Sequence, residues 1–184
     1  MLARGEVSRR RTEPLEHRYP NHTSRGAATD GTIAMPSSYL SLHYHLVFST
    51  KHREPFITPS IAPRLYEYLG GTVCGLGGQM LICNGMPDHV HLLVRLGATR
   101  AVADVLRDLK AGVSGWVHDT FPDMVGFGWQ RGYGAFVIGR TELDVVRAYI
   151  ENQEEHHRSE GFREEFVRLL TEHNIEYDPQ YLWD

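Results

Sequence analysis

The sequence predicts an α+β protein of the ferredoxin-like type, β-α-β-β-α-β with an antiparallel sheet, followed by C-terminal helices that carry Tyr149. Three observations predict it. Apolar residues switch between a spacing of two and a spacing near 3.6 along residues 42–140. Two strand-like runs are separated only by a tight Met86-Pro87-Asp88 turn, which makes them an antiparallel hairpin. After the last strand the pattern is helical as far as about residue 173.

Residues 42–49 (LHYHLVFS) alternate, with Tyr44, Leu46 and Phe48 on one face and His43, His45 and Val47 on the other, and predict a strand. A polar connection over 51–55 leads to a helix over 60–73, where Ile61, Leu65, Tyr68 and Leu69 fall at helical spacing. Gly75 to Gly78 break it. Residues 79–84 and 89–96 (HVHLLVRL) are the hairpin strands. A second helix covers 101–118, with Val102, Val105, Leu106 and Leu109 as its stripe. A Gly- and aromatic-rich loop over 122–132 precedes a fourth strand over 133–140. Thr141 is placed to N-cap one helix over 142–157, and a last helix covers about 160–173.

The 184 residues suit one domain, and 41% apolar with 23% charged residues is a globular composition. No apolar run is long enough to span a bilayer, no apolar h-region follows the N-terminal arginines, and a cytoplasmic address is expected. Two cysteines do not make a disulfide framework. Residues 1–34 lack apolar periodicity and read as a disordered arm or an upstream start, which leaves 35–184 as the folded domain. The net charge of -4 is uneven: +2 over 1–34, zero over 35–152 and -6 over 153–184. A nucleic-acid surface therefore needs a local basic patch, for which Lys51, Arg53, Lys110 and Arg131 are candidates.

Two features carry chemistry. His89 and His91 flank Val90 on a strand, so they share a face with backbones about 6.6 Å apart, and Val90 turns to the core. Two imidazoles so placed can converge on one cation at about 2.0–2.1 Å. The alternative is an ordinary solvent-facing pair, a spacing that His43 and His45 share. On the predicted helix, Tyr149, Gln153 and His156 lie at i, i+4 and i+7, with His157 beside them. A phenol with a pKa near 10 needs help to act as a nucleophile, and a divalent cation supplies it. Gln153 can give that cation an oxygen, and mixed nitrogen and oxygen ligands suit Mg2+ or Mn2+ with substrate phosphate completing the shell. The bland alternative packs Tyr149 and Ile150 in the core beside a solvated face.

The chain resembles the single-tyrosine HUH transposases of the insertion-sequence-200-like family, which include the repeat-associated tyrosine transposases. The resemblance rests on four stretches in order: Tyr44-His45-Leu46-Val47-Phe48-Ser49-Thr50-Lys51, Met86-Pro87-Asp88-His89-Val90-His91-Leu92-Leu93, Gly132-Tyr133-Gly134-Ala135-Phe136, and Tyr149-Ile150-Glu151-Asn152-Gln153-Glu154-Glu155-His156-His157. It implies that His89, His91 and Gln153 hold the metal. Tyr149 would attack single-stranded DNA to give a 5′-phosphotyrosyl enzyme and a free 3′-hydroxyl. The implied partners are single-stranded or hairpin DNA and a second copy of the chain in a homodimer. His156 and His157 would orient Gln153 or meet DNA. Trp129, Gln130, Arg131 and Tyr133 could stack on unpaired bases.

Two other functions compete. A transposase-derived protein could bind hairpins without cutting, and a small hydrolase could use the two histidines and a metal-bound water without any tyrosine. Tyr177 and Tyr181 are further phenols, without neighbouring ligands in sequence. A ferredoxin-like RNA-binding module fits less well, because its aromatic strand signature is not evident.

Overall fold

A computed structural model describes residues 39–183. The expected arm over 1–34 lies outside the described residues. The elements are β1 (His43–Ser49), α1 (Ala62–Gly75), β2 (Gln79–Met86), β3 (His89–Arg95), α2 (Val102–Thr120), β4 (Gly134–Ile138), α3 (Leu143–Glu151), α4 (Gln153–His156) and α5 (Phe162–Glu172). The sheet order is β2-β3-β1-β4, and all three strand pairs are antiparallel. That is the expected ferredoxin-like arrangement, with the histidine strand β3 in the interior of the sheet.

Both faces of the sheet are covered, and the alternation along β1 and β3 decides what goes where. Leu46 and Phe48 of β1 and Val90, Leu92 and Val94 of β3 pack against α1 and α2 through Leu65, Leu69, Val105, Leu106 and Leu109. Val47 and Leu93 face the other way, into a second core with Phe136, Ile150, Phe162, Phe166, Leu169 and Leu170 from β4, α3 and α5. His45, His89 and His91 belong to this second face by register, and all three are buried.

The single helix expected over 142–157 is two helices. Asn84 of β2 donates its side-chain amide to the Glu151 carbonyl at 3.0 Å, and Asn152 donates its own to Ala148 at 2.8 Å. A side chain that takes a carbonyl from the ladder is a recognised cause of a kink. Asn152 itself sits at φ -98° and ψ 29° between α3 and α4. Thr141 is not the cap expected of it: Glu142 holds that position, and its carboxylate accepts the backbone N–H of Gly139 at 2.9 Å. Met86, expected in the turn, is the last residue of β2. The fourth strand is shorter than expected and the last helix starts at Phe162.

Candidate active site

The β2–β3 hairpin delivers His89. Gly85 makes the close approach possible, because a Cβ there would lie 2.2 Å from the His89 carbonyl oxygen. The Pro87-Asp88 turn is fastened from the other side by residues after β1. Thr50 N–H donates to the Asp88 carbonyl at 2.8 Å, and Ile57 N–H donates to the Pro87 carbonyl at 2.9 Å. Between them, His52 and Arg53 adopt φ of 57° and 59°. Two consecutive non-glycine residues in the left-handed region cost about 1–2 kcal/mol each. The reward is position: Arg53 Nε and Nη2 donate to Asp88 Oδ2 at 2.9 and 2.6 Å.

Asp88 in turn sets the tautomer of His89. Its Oδ1 lies 2.8 Å from His89 Nδ1. Burial opposes ionisation of Asp88, yet the bonds from His89 and Arg53 hold its carboxyl down at about 2. A carboxylate only accepts, so His89 Nδ1 carries the proton and Nε2 presents a lone pair. The His91 ring is held by His45, whose Nε2 lies 2.9 Å from His91 Nδ1. Burial pushes His45, His89 and His91 below the ordinary histidine range, His89 to about 4, so all three are neutral at neutral pH.

Opposite β3 stands Glu165 of α5, fully buried. Its Oε2 lies 3.1 Å from His157 Nε2, 3.4 Å from His91 Nε2 and 3.7 Å from His89 Nε2. His89 Nε2 and His157 Nε2 are 3.0 Å apart. Burial raises the Glu165 carboxyl, but the bonds from His157 and His91 outweigh it and hold the carboxyl far below the usual range. The same contact lifts His157 above its ordinary value, against its burial. One ligand atom from each of His89, His91, His157 and Glu165 lies within 4.8 Å of all the others. Gln153 Oε1 is buried without a hydrogen-bond partner, and Glu165 Oε2 has only the three imidazoles around it. Buried acceptors left unsatisfied are costly, and a shared cation would satisfy them. The residues present therefore fit a divalent metal.

Tyr149 of α3 reaches the same place. Its hydroxyl donates to Glu165 Oε1 and accepts from Arg168 Nη2 at 3.2 Å. Burial, and then Glu165, raise the phenol above its ordinary pKa. Arg168 is itself tied to Glu160 and Glu172.

The residues singled out in the sequence are thus partly assembled. His89, His91, Tyr149, Gln153, His156 and His157 surround one buried carboxylate. Gln153 is fully buried, and its amide nitrogen donates to Glu165 Oε1 at 3.4 Å. His156 bonds Glu160 at 2.7 Å, on the outer side of the cluster. The basic candidates are dispersed. Arg53 is engaged by Asp88. Lys110 is half-buried and donates to the carbonyls of Gln130 and Gly132 at 2.9 and 2.7 Å, and desolvation pushes its ammonium down to about 8. Lys51 and Arg131 are exposed.

Glu165 was missed in the sequence, although a signal was there. Its helix is amphipathic, and Glu165 sits among Phe162, Phe166 and Leu169 on the apolar face. An ionisable group on an apolar stripe is an anomaly that asks for a partner. The spacing of His43 and His45 gives no sign that His45 supports His91, a contact made only across the sheet.

Residues 38–153 match the family model described as "Transposase IS200 like". The chain belongs to the IS200-like transposase family. The match takes in His89, His91, Tyr149 and Gln153, whereas His157 and Glu165 lie beyond it. The ISDra2 transposase TnpA of Deinococcus radiodurans is 26% identical over 117 residues, 61% of this chain and 84% of that one. A Deinococcus radiodurans R1 protein described as a transposase, known from a crystal structure at 1.90 Å resolution, superposes with a TM-score of 0.53 at 25% identity, covering 65% of this chain and 96% of its own. A REP-associated tyrosine transposase bound to a REP hairpin shares the fold, with a TM-score of 0.50 and 12% identity over 67% of this chain and 74% of its own. As an IS200-like family member the chain is of the HUH tyrosine transposase type, and its paired histidines sit where a metal centre can form.

Proposed function

We propose that this family member nicks and rejoins single-stranded DNA, with Tyr149 as the nucleophile and a divalent cation held by His89, His91, His157 and Glu165. One observation carries the reading: the Tyr149 hydroxyl and the three imidazoles converge on the same buried carboxylate. Gln153, whose amide oxygen has no partner and whose amide nitrogen lies 3.4 Å from Glu165 Oε1, is the further ligand available when the cation binds. The cation would polarise a non-bridging phosphate oxygen and neutralise charge developing there. Three imidazoles make the donor set nitrogen-rich, which favours Mn2+ over Mg2+, an ion that prefers oxygen.

The chain's own groups do the rest. Arg168 and Glu165 hold the phenol oxygen between a donor and an acceptor, and Glu165 Oε1 stands where it can take the phenol proton. The Tyr149 oxygen attacks phosphorus, the bond to the 3′-oxygen breaks, and the proton taken from the phenol passes to the departing 3′-oxygen, giving a 5′-phosphotyrosine and a free 3′-hydroxyl. Attack by a 3′-hydroxyl reverses the step and returns the proton, so no nucleotide cofactor is consumed. A hairpin partner is supported by the fold-mate bound to a REP hairpin. Action as a homodimer is part of the same reading.

The test is a denaturing gel of the protein with labelled single-stranded hairpin DNA from the gene's flanks, with and without Mn2+, beside Tyr149→Phe. A metal-dependent covalent adduct absent in Tyr149→Phe is expected. Tight binding without an adduct would favour a hairpin-binding protein that does not cut. Cleavage that persists in Tyr149→Phe would favour a metal-dependent hydrolase.

A further inference from the structure

Beside the active site the sheet runs out on one side. Strand β4 begins at Gly134, opposite Val47, so Phe48 and Ser49 have no β4 partner. The 129–133 loop fills in, anchored by the Thr50–Trp129 bridge and by Lys110. Two cavities open there. The first, of 380 Å³, is walled by Trp129, Arg131, Tyr133 and the α2 side chains Arg107 and Lys110. The second, of 180 Å³, is walled by Phe162, Phe166, Tyr181 and Trp183. Gln130 and Tyr133 line both, so the cavities are neighbours. Phe162 continues the path inward, because its ring stacks on His89 with centroids 4.2 Å apart.

We propose that these two cavities hold consecutive unpaired nucleotides of the DNA strand that enters the active site, with bases against Tyr133 and the Phe162–Trp183 wall and backbone along Arg131. This rests on the single-stranded DNA reading of the site. Three features favour that occupant. Aromatic walls suit any base through its π-face, and a basic rim follows the backbone. Tyr133 and Tyr181 stay 40% and 71% exposed, so ring surface is free to stack at both cavities. The first cavity offers cationic groups from three side chains, while among the described residues no acidic side chain lines either cavity. Arg107 is shared with Asp104 and Asp108, and Lys110 with the loop carbonyls, so Arg131 is the cation best placed to meet phosphate.

Fluorescence anisotropy in chelator tests this with a labelled oligothymidylate of about ten nucleotides and an abasic strand of equal length. The full-length wild-type chain is expected to bind oligothymidylate at least tenfold more tightly than the abasic strand. Tyr133→Ala should lose about tenfold on oligothymidylate and little on the abasic strand, while Tyr133→Phe keeps the wild-type difference. Arg131→Ala should weaken both strands alike. Unchanged melting of Tyr133→Ala would confirm that the loop is intact, and an Arg131→Ala plus Tyr181→Ala pair serves if it is not. Equal binding of the two strands, no effect of Tyr133→Ala or of that pair, or no binding at all would overturn the proposal. Because the measurement needs neither metal nor cleavage, binding without any adduct sinks only the cleavage reading. Base-independent binding by a protein that forms the adduct sinks only this one.

Discussion

His89 offers its Nε2 lone pair because Asp88 occupies the other ring nitrogen, and Arg53 keeps Asp88 ionised. Groups behind a ligand typically contribute 10–100-fold to metal affinity. Asp88→Ala should therefore bind Mn2+ about 10–100-fold more weakly in a calorimetric titration, with its far-UV spectrum retained. Glu165→Gln should also lose Mn2+ affinity and, by removing the charge that three imidazoles and a phenol share, adduct formation; an adduct at the wild-type rate would separate Glu165 from the chemistry. The buried imidazoles also set a pH dependence. Burial holds His89 near 4, so the folded chain refuses a proton that the unfolded chain accepts below about 6.5. Stability from neutral His89 is present above 6.5 and lost as pH falls toward 4. His45 and His91 shift in the same direction, while His157, raised by Glu165 against its burial, opposes them by favouring the protonated fold below 6.5. The metal-free melting temperature should fall between pH 6.5 and 4, and a flat profile by scanning fluorimetry would contradict burial of neutral imidazoles. At this scale the sequence was half legible. A one-residue interval put His89 and His91 on one face, but nothing local ties residue 165 to residue 91, so the carboxylate needed the tertiary contact.

Among the elements, the hairpin and the broken helix do the positioning. Gly85→Ala would drive a methyl group into the backbone of His89, and should lower both stability and Mn2+ affinity. Asn84→Ala would release the Glu151 carbonyl to the helical ladder. Straightening α3 into α4 would then swing Gln153 and His157 relative to Tyr149; the expected readout is weaker Mn2+ binding with little change in melting, and unchanged binding would show that the kink is not set by Asn84. Strand and helix order were readable because spacing reports burial. The kink was not, because it depends on a side chain arriving from β2, more than sixty residues upstream. The apparent i, i+4, i+7 stripe of Tyr149, Gln153 and His156 therefore described a straight helix that does not exist, although the three residues still meet.

For the molecule as a whole, the sheet separates two cores with different duties. One, against α1 and α2, is wholly apolar at its centre. The other, against α3 and α5, is interrupted by the histidines, Gln153 and Glu165. Leu92→Ala, in the first, should cost about 2–5 kcal/mol in chemical denaturation while leaving the metal affinity of the folded fraction unchanged. If the homodimer reading holds, light scattering should give twice the 21.0 kDa chain mass. Among the described residues no helix is long and apolar enough to cross a membrane. Within the acidic segment 153–184, Glu155 pairs with Arg158, Glu160 and Glu172 pair with Arg168, and Glu165 turns inward.

Strand β3 carries ligands and hydrocarbon in strict alternation, His89, Val90, His91, Leu92, which has a genetic corollary. Loss or gain of one codon between Gly85 and His89 would exchange the two sets, pushing imidazoles into the α1–α2 core and valine toward Glu165. Loss of two would only shorten the finger by one repeat. The hairpin should therefore be far more sensitive to odd-length than to even-length indels, a parity rule that a deletion scan scored for folding alone would reveal.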